Sequence, residues 1–311
     1  MTLYEAGDYP RHRVCGEFIA GLSPATIDRL GLAPLLRDAR RHRDVAWFFG
    51  GRLGYRQELP SAALGISRYT LDARLADAFR LEGGDLRTRA RIDPLAALPG
   101  RVIATGRVRR RSPWMGLKFH AVDLPLSADL EVHLGNDVYV GLSGVEGGRV
   151  NVCGFFRRRA LRATGVELFR ACLVASGLGA LAARIAAAAP DPASFSAVAG
   201  LAVDRGLARR PDVRVGDACA MIAPFTGDGM AMAFQGAEAA LDPLIAYARG
   251  GAGWPETSGT IRTALTRQFR CRLASASALH GFLLGPRRQR WLAVAARTGL
   301  LPIRPLYSLL H

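Results

Sequence analysis

Residues 213–238 (VRVGDACAMIAPFTGDGMAMAFQGAE) have the residue types and spacing of a site for a ligand with phosphate and hydroxyl groups. A short predicted strand ends at Gly216 and Asp217, where ligands of open α/β sheets bind and where a carboxylate can accept hydrogen bonds from sugar hydroxyls. The free N–H groups at the start of the following helix attract anions. Gly227 and Gly229 let the backbone approach a flat ligand, because a β-carbon there would clash. Any one of these residues also fits a tight turn, so the joint arrangement is what favours a ligand site.

The N-terminal segment MTLYEAGDYPRHRVCGEF supplies the remaining candidate residues. Glu5 ends a predicted strand, and a loop rich in Gly, Asp and Pro follows it. Cys15 is the one candidate for a catalytic group, as a redox-active thiol whose pKa nearby arginines would lower if it is exposed. The alternative for Cys15 is a small buried residue in a tight loop.

The stretch GDACAMIAPFTGDGM resembles the second flavin-binding motif of FAD-dependent oxidoreductases of the geranylgeranyl reductase and aromatic hydroxylase superfamily, which includes the group A flavoprotein monooxygenases. Three further stretches are similar to segments of that family: PRHRVCGEF, with Arg13 where lysine is common, GISRYTLDARLADAF, and RVIATGRVRRRSPWMGLKFH. The resemblance covers about residues 1–245 and implies FAD as the cofactor and NAD(P)H as the reductant.

The resemblance also implies which residues hold FAD. Glu5 falls where an acidic residue binds the adenosine ribose, and Asp217 where an aspartate holds the ribityl chain. Arg11 and Arg68 fall near the phosphates and the ribityl chain, and Cys15 falls beside the flavin ring. The predicted cofactor-binding residues are Glu5, Arg11, Cys15, Gly16, Arg68, Gly216, Asp217, Pro224, Gly227, Asp228, Gly229 and Met230.

The family's first motif, G-x-G-x-x-G, is expected about 20 residues before the ribose-binding acidic residue. No such motif precedes Glu5, and GLGALA at 177–182 follows no predicted strand. We therefore expect an N-terminally truncated record of a normal enzyme. The alternative is a chain that binds FAD weakly or not at all.

The order of predicted elements indicates an α/β fold. We expect a Rossmann-like FAD/NAD(P)-binding domain that lacks its first β-α unit, with an inserted antiparallel substrate sheet and C-terminal helices. Helical sequence is predicted within 65–84, where Gly83-Gly84 ends the run, from Gly165 to Ala189, and from Asp228 to Arg249. The predicted domains are 1–111 (FAD-binding, with an excursion near 44–60), 112–200 (substrate domain), 201–250 (FAD-binding) and 251–311 (C-terminal helices).

Composition limits the choice of partners and compartment. The 311 residues carry a formal charge of +16, and Lys118 is the only lysine among 42 basic residues. The arginines are dispersed rather than clustered with aromatic residues, so we expect no nucleic-acid binding. Five cysteines without a C-x-x-C pair argue against a disulfide framework, and no His/Asp/Glu spacing predicts a metal site. We expect a cytoplasmic protein without a transmembrane helix.

Two further features leave alternatives open. Trp291, Val294, Leu300 and Leu301 lie among arginines, which fits either a peripheral membrane contact or a terminal helix packed on the domain. Lys118 faces substrate or flavin, or has no special role. The resemblance implies an oxidoreductase that reduces an olefin or hydroxylates a small hydrophobic substrate of aromatic, polyketide or isoprenoid type. A binding protein without FAD is the alternative.

Overall fold

The computed structural model describes residues 1–93, 98–108, 110–204, 206–207 and 212–298. The strands are β1 (Thr2–Tyr4), β2 (Phe18–Ile19), β3 (Arg40–Phe49), β4 (Arg52–Gly65), β5 (Asp85–Arg87), β6 (Val102–Ile103), β7 (Trp114–Val122), β8 (Leu130–Gly135), β9 (Val138–Gly144), β10 (Val150–Arg157), β11 (Ala189–Leu201) and β12 (Val213–Arg214). The helices are α1 (Pro24–Arg29), α2 (Arg68–Leu81), α3 (Gly165–Ala175), α4 (Gly179–Ala186), α5 (Gly229–Ala248), α6 (Trp254–Leu284) and α7 (Pro286–Arg297).

One eight-stranded sheet dominates the structure, in the order β11-β7-β10-β9-β8-β3-β4-β2. Its neighbouring strands are antiparallel except for β3 and β8, which pair in parallel. Alternation along β7 and β10 gives the sheet two different faces. Leu117, Phe119 and Val152 lie on the face that packs against α3 and α4. Lys118 and Cys153, which pair across the two strands, lie on the opposite face.

The strands next to the predicted nucleotide motifs form separate short parallel pairs. β1 pairs with β5, and β12 pairs with β6. Parallel pairing is the arrangement of a doubly wound nucleotide-binding sheet. The predicted combination of an α/β nucleotide-binding part with a β-rich insertion is confirmed.

The helices begin and end where local signals place them. Ser23 and Ser67 are N-caps, and each hydroxyl accepts a hydrogen bond from the backbone N–H three residues later. α5 and α6 pack on each other around Ala240, Ile261 and Leu265 and hold β12 against them. The helix predicted within 65–84 is α2, which ends two residues before Gly83, and the helix predicted from Asp228 to Arg249 is confirmed within one residue at each end.

The helical stretch predicted from Gly165 to Ala189 forms two helices, α3 and α4, and only its last residue lies in a strand. α3 ends at Ala175, Gly177 has a positive φ of 81°, and the chain restarts as α4. From Ala189 the chain is the edge strand β11, in which Pro190 and Pro192 are tolerated because an edge strand leaves some backbone N–H groups unpaired.

Two other predictions concern the chain's C-terminal part and its domains. In α7, Trp291 is 76% exposed and Val294 is 55% exposed, whereas Leu300 and Leu301 lie outside the described residues. Among the described helices, none has the length and apolar character needed to cross a bilayer. The hairpin β3–β4, predicted as an excursion near 44–60, belongs to the large sheet.

Candidate functional site

The loop between β12 and α5 consists of two short turns, followed by a glycine in the left-handed conformation. Residues Gly216–Ala218 and Pro224–Thr226 form single 3₁₀ turns, and Gly216 has a φ of 58°. Gly227 adopts the left-handed conformation with a φ of 74°, and α5 then begins at Gly229. The first N–H groups of a 20-residue helix therefore follow directly on this loop.

The two glycines of the T-G-D-G segment have different surroundings. A β-carbon on Gly227 would lie 2.8 Å from the Phe18 ring, so this glycine is required by its positive φ and by packing. A β-carbon on Gly229 would meet no atom within 4 Å. Of the two, Gly229 is therefore the one that faces open space at the start of α5.

Asp217 lies in the first of the two turns, beside the open space at Gly16 and Gly229 that we call the cleft. The residue is exposed to solvent, yet nearby protein raises the pKa of its carboxyl by desolvation. Arg68, from the start of α2, opposes this rise and is also near the Cys15 thiol. A group that water reaches but protein surrounds is typical of a binding cleft. The structure thus brings together Asp217, Arg68 and Cys15, three residues predicted from separate motifs.

The Cys15–Gly16 segment also borders the cleft, since Cys15 lies near Asp217 and Arg68. Its two carbonyl oxygens accept hydrogen bonds from the Asn151 amide at 3.1 and 2.8 Å, which fixes the loop to β10. A β-carbon on Gly16 would meet no atom within 4 Å, so its backbone faces open space. Desolvation raises the pKa of the Cys15 thiol despite the nearby Arg68. The thiol is therefore protonated at neutral pH, and its catalytic role stays a prediction.

Glu5 has a full set of partners at the other end of the site. Its Oε1 accepts hydrogen bonds from the Gly7 N–H at 2.8 Å and from Arg11 at 2.7 Å. Its Oε2 accepts from the Tyr9 hydroxyl at 3.2 Å and from Arg13 at 3.3 Å. A carboxylate offers about four acceptor positions. All of them are used here, and these hydrogen bonds and arginine charges lower the pKa of Glu5 despite desolvation.

An ionic network continues from Glu5 into the cleft. Arg13 also reaches Asp72 at 3.0 Å, and Asp72 pairs with Arg68 at 2.6 Å. The Arg68 pKa is raised against desolvation by its hydrogen bonds to Asp72 and its proximity to Cys15. Arg13 thus connects Glu5 with the Arg68–Asp72 pair.

Three further residues predicted to bind the cofactor lie in the loop before α5 or at the start of that helix. Pro224 is exposed at the start of the second turn. Asp228 is fully buried, and its carboxylate counteracts the fall in the pKa of Arg272 that desolvation causes. Met230 is buried in the core beside Ile19 and Ile66. Cofactor contacts of these residues stay predictions.

An aromatic cluster that the motifs did not indicate packs between the sheet, α6 and the loop before α5. On β9 and β10, Tyr139 and Phe155 stack with ring centroids 5.3 Å apart, and His280 of α6 lies against both. Phe225, which follows Pro224, stacks on His280 at 6.3 Å. Desolvation lowers the pKa of His280 to about 4, so its imidazole is neutral at pH 7. The alternation in VNVCGFF gave a signal for Phe155, whereas nothing local indicated His280.

The comparisons with known proteins place this geometry in a fold. No protein-family model matches the sequence, and no curated protein matches it in sequence. Solved structures do match, among them Klebsiella pneumoniae HpxO complexed with FAD and uric acid, with 15% identity, a TM-score of 0.75 and coverage of 99% of this chain and 89% of that chain.

Two Pseudomonas proteins match at similar levels. For p-nitrophenol 4-monooxygenase PnpA from Pseudomonas putida the identity is 12%, the TM-score 0.73 and the coverage 99% of this chain and 90% of that one. For P. aeruginosa PqsL in complex with 2-aminobenzoylacetate the values are 15%, 0.70, 92% and 90%. The fold implied by the sequence motifs is confirmed: the chain has the fold of FAD-dependent monooxygenases.

Proposed function

We propose that this chain is an FAD-dependent oxidoreductase that hydroxylates a small aromatic or heteroaromatic substrate, with NAD(P)H as the reductant. The observation that carries the proposal is the cleft in which Asp217, Arg68 and the Cys15–Gly16 backbone meet the start of α5. The names of the similar structures support the reaction class, since one is a nitrophenol monooxygenase and others were solved with uric acid or 2-aminobenzoylacetate.

The residues of the cleft fit the flavin end of FAD. Asp217 can accept hydrogen bonds from ribityl hydroxyls, and the first N–H groups of α5 can bind an anionic phosphate or a flavin carbonyl. Gly16 and Gly229 leave room for a flat ring to lie against the backbone. When bound, FAD supplies the redox chemistry, passing electrons from NAD(P)H to oxygen so that one oxygen atom enters the substrate.

The residues predicted to bind the adenosine end of FAD fit it less well in their present conformation. Glu5 has no vacant acceptor position, because Arg11, Arg13, Tyr9 and the Gly7 N–H use both oxygens. A ribose hydroxyl can bind Glu5 only if one of these donors moves away. Arg11 is the donor best suited to do so, because its guanidinium would then be available to a phosphate of the same nucleotide.

The chain's own residues would position the substrate and keep water away from it. The face of the large sheet next to the cleft carries Tyr139 and Phe155, and Phe225 joins them from the loop before α5. Aromatic side chains bind planar apolar rings through offset stacking and edge contacts. His280 is the neutral polar group in this aromatic cluster, and it can accept or donate one hydrogen bond there without adding charge.

The proposal also covers the division of the chain into domains, its location and a second possible reaction. Residues 1–111 and 201–250 would form the FAD-binding part, 112–200 the substrate part, and 251–311 the C-terminal helices, with the hairpin β3–β4 adding to the substrate sheet. Contact of the basic C-terminal segment with an anionic membrane surface, and a cytoplasmic location, also stay predictions. Olefin reduction is the second reaction that the C-G-E and P-F-T-G-D-G motifs allow.

Flavin binding provides the first test. We expect the chain purified with excess FAD to be yellow and to retain flavin absorbance after gel filtration. Asp217→Ala removes the carboxylate that holds the ribityl chain and should reduce flavin retention by about tenfold or more. Asp242→Ala is the matched control, because Asp242 is an exposed partner of Arg29 and lies outside the cleft.

The outcomes separate the alternatives. A chain that stays colourless with excess FAD would favour the binding-protein alternative. Equal flavin retention in wild type and Asp217→Ala would show that the loop does not hold the ribityl chain. Oxygen uptake with NAD(P)H that phenols or anilines stimulate would support hydroxylation. An electron transfer to added olefins without oxygen uptake would support reduction instead.

A further inference from the structure

The sheet face that carries Cys153 has an open space between the N-terminal loop and the aromatic cluster. Residues two apart on a strand point to the same face, so Asn151, Cys153 and Phe155 follow one another along β10. Asn151 holds the Cys15–Gly16 segment, whereas Phe155 belongs to the aromatic cluster. Cys153 lies between them and pairs with Gly141 of β9. A β-carbon on Gly141 would meet no atom within 4 Å, and both residues are partly exposed, so this part of the sheet surface is open in the described structure.

The aromatic cluster beside this space contains a hydroxyl whose proton has no acceptor. Tyr139 lies two residues before Gly141 on β9 and is 5% exposed. Its hydroxyl has no hydrogen-bond partner among the described residues, and the nearby Phe225 N–H can only donate to its oxygen. The Nδ1 atom of His280, whose ring lies against Tyr139, is also buried without a partner in this part of the chain. A buried donor without an acceptor is unfavourable, so a ligand oxygen that accepts from Tyr139 removes that cost.

A buried ion pair lies behind the open space. Lys118 pairs across the strands with Cys153, and its Nζ lies 3.1 Å from Glu17 Oε1. His120 Nε2 lies 2.5 Å from Glu17 Oε2, and Glu17, Lys118 and His120 are each 0% exposed. The positive charge of Lys118 is therefore compensated inside the protein rather than offered to a ligand.

The cation on the other side of the space is also paired. Arg68, which lies near the Cys15 thiol, donates hydrogen bonds to the two carboxylate oxygens of Asp72 at 2.6 and 2.8 Å. An anionic ligand would have to give up its hydration without gaining a counter-charge, which is costly. The rings of the aromatic cluster instead favour a planar apolar ligand. The surroundings thus favour an uncharged ring over a carboxylate.

We propose that the space above Gly141 is the substrate subsite of the cleft, that Gly141 sets its depth, and that the Tyr139 hydroxyl donates a hydrogen bond to an uncharged planar ring with a carbonyl or phenolic oxygen. The Nδ1 atom of His280 can pair with a second polar atom of the same ring. Any side chain at position 141 would occupy the space itself. Calling the ligand a substrate rests on the proposed function, whereas the binding of such a ring does not.

The first test compares two probes of the same shape, benzamide, which is uncharged, and benzoate, which is a carboxylate at pH 7. We expect the full chain with excess FAD to bind benzamide at least about tenfold more tightly in calorimetric titration, because benzoate finds no free counter-charge. Equal affinities, or tighter binding of benzoate, would overturn the assignment of an uncharged ligand. Binding of neither probe would overturn the subsite.

The second test fills the space. Gly141→Val should weaken benzamide binding by about tenfold or more, and Gly141→Ala by less, because each adds a side chain where the ligand would lie. Gly259→Val is the matched control, since a β-carbon there also meets no atom within 4 Å and the residue lies about 30 Å along α6 from His280. Benzamide affinity that is unchanged in Gly141→Val would contradict the subsite.

The third test separates ligand binding from stability at Tyr139. Tyr139→Phe keeps the ring that stacks on Phe155 and should weaken benzamide binding by about fivefold or more. The midpoint of urea unfolding without benzamide should not fall, because the hydroxyl proton has no acceptor in the empty chain. A lower midpoint with unchanged benzamide affinity would show that the hydroxyl has a structural role instead. Tyr247→Phe, at the far end of α5 from the cleft, is the control and should bind benzamide like the wild type.

The results for benzamide and for flavin are independent. A chain that stays colourless with excess FAD, yet discriminates the two probes and loses benzamide in the variants, would contradict only the proposed function. A yellow chain whose Gly141→Val and Tyr139→Phe variants bind benzamide like the wild type would contradict only this subsite.

Discussion

Two buried carboxylate–histidine pairs lie on opposite faces of the same sheet, and they differ in the cation that completes each of them. Glu131 and His133 lie on the face covered by α3 and α4, with Arg184 reaching in from α4. Glu17 and His120 lie on the cleft face with Lys118. An arginine cannot release its proton in a protein, whereas a lysine can. One cluster therefore keeps its charge state, and the other is able to change it.

The surroundings of the two clusters reinforce this difference. Glu131 Oε1 accepts the Ser127 N–H at 2.7 Å and the Ser127 hydroxyl at 2.9 Å, and these bonds with His133 and Arg184 lower its pKa to about 2 against desolvation. His133 stacks on Phe48 at 4.3 Å, and desolvation lowers its pKa. Glu17 instead belongs to a strained loop beside the cleft. The same chemical pair serves as a structural anchor at one place and adjoins a binding site at the other.

The two clusters should differ most in the unfolding free energy that is lost when the carboxylate of each is replaced by an amide. Glu17→Gln leaves Lys118 without a counter-charge in a place that water does not reach, and we expect the free energy of unfolding to fall by about 3–5 kcal/mol at pH 7. Urea unfolding at pH 7 measures the effect.

A loss below about 1 kcal/mol would show that Lys118 does not need Glu17 as its counter-charge. His120→Gln serves as the control, because it removes one hydrogen bond to Glu17 without leaving a cation unpaired. It should cost about 1–2 kcal/mol.

Glu131→Gln should be less costly, with a loss of about 2 kcal/mol at pH 7. The Arg184 side chain is 30% exposed and can regain water when its partner is lost, and the glutamine oxygen can still accept from Ser127. Urea unfolding of the two glutamine variants measures how much the solvent exposure of the cation reduces the loss of unfolding free energy. Equal losses in both would contradict the distinction between the clusters.

The sequence predicted the local parts of this arrangement and missed the non-local ones. The T-G-D-G segment indicated the start of α5, because signals at a helix start act within one helical turn. The motifs also predicted that Asp217, Arg68 and Cys15 would share one site, and the structure brings them together.

The pairing of Glu17 with Lys118 and His120 was not predictable, because it depends on how a loop packs on strands far along the chain. Glu17 stood in the quoted C-G-E segment, and Lys118 was notable only as the single lysine. Likewise, the alanine-rich stretch after Gly165 indicated helix by propensity, but it did not indicate the break at Gly177 that divides it into α3 and α4. His280 reaches the aromatic cluster from α6 through packing alone.

The smallest expected effect is the part of the acid-dependent loss of unfolding free energy that Glu131 causes. Because the folded-state pKa of Glu131 is about 2, below its value of 4.5 in the unfolded chain, its carboxylate stabilises the fold above pH 4.5 and this contribution is lost as the pH falls toward 2. Between pH 5 and pH 4 this amounts to about 0.7 kcal/mol of unfolding free energy. Glu131→Gln should lack this part of the acid-dependent loss, whereas Asp242→Ala, which removes an exposed carboxylate, should keep it. Urea unfolding at the two pH values distinguishes them, and an unchanged acid dependence in Glu131→Gln would mean that other carboxylates or histidines cause the loss.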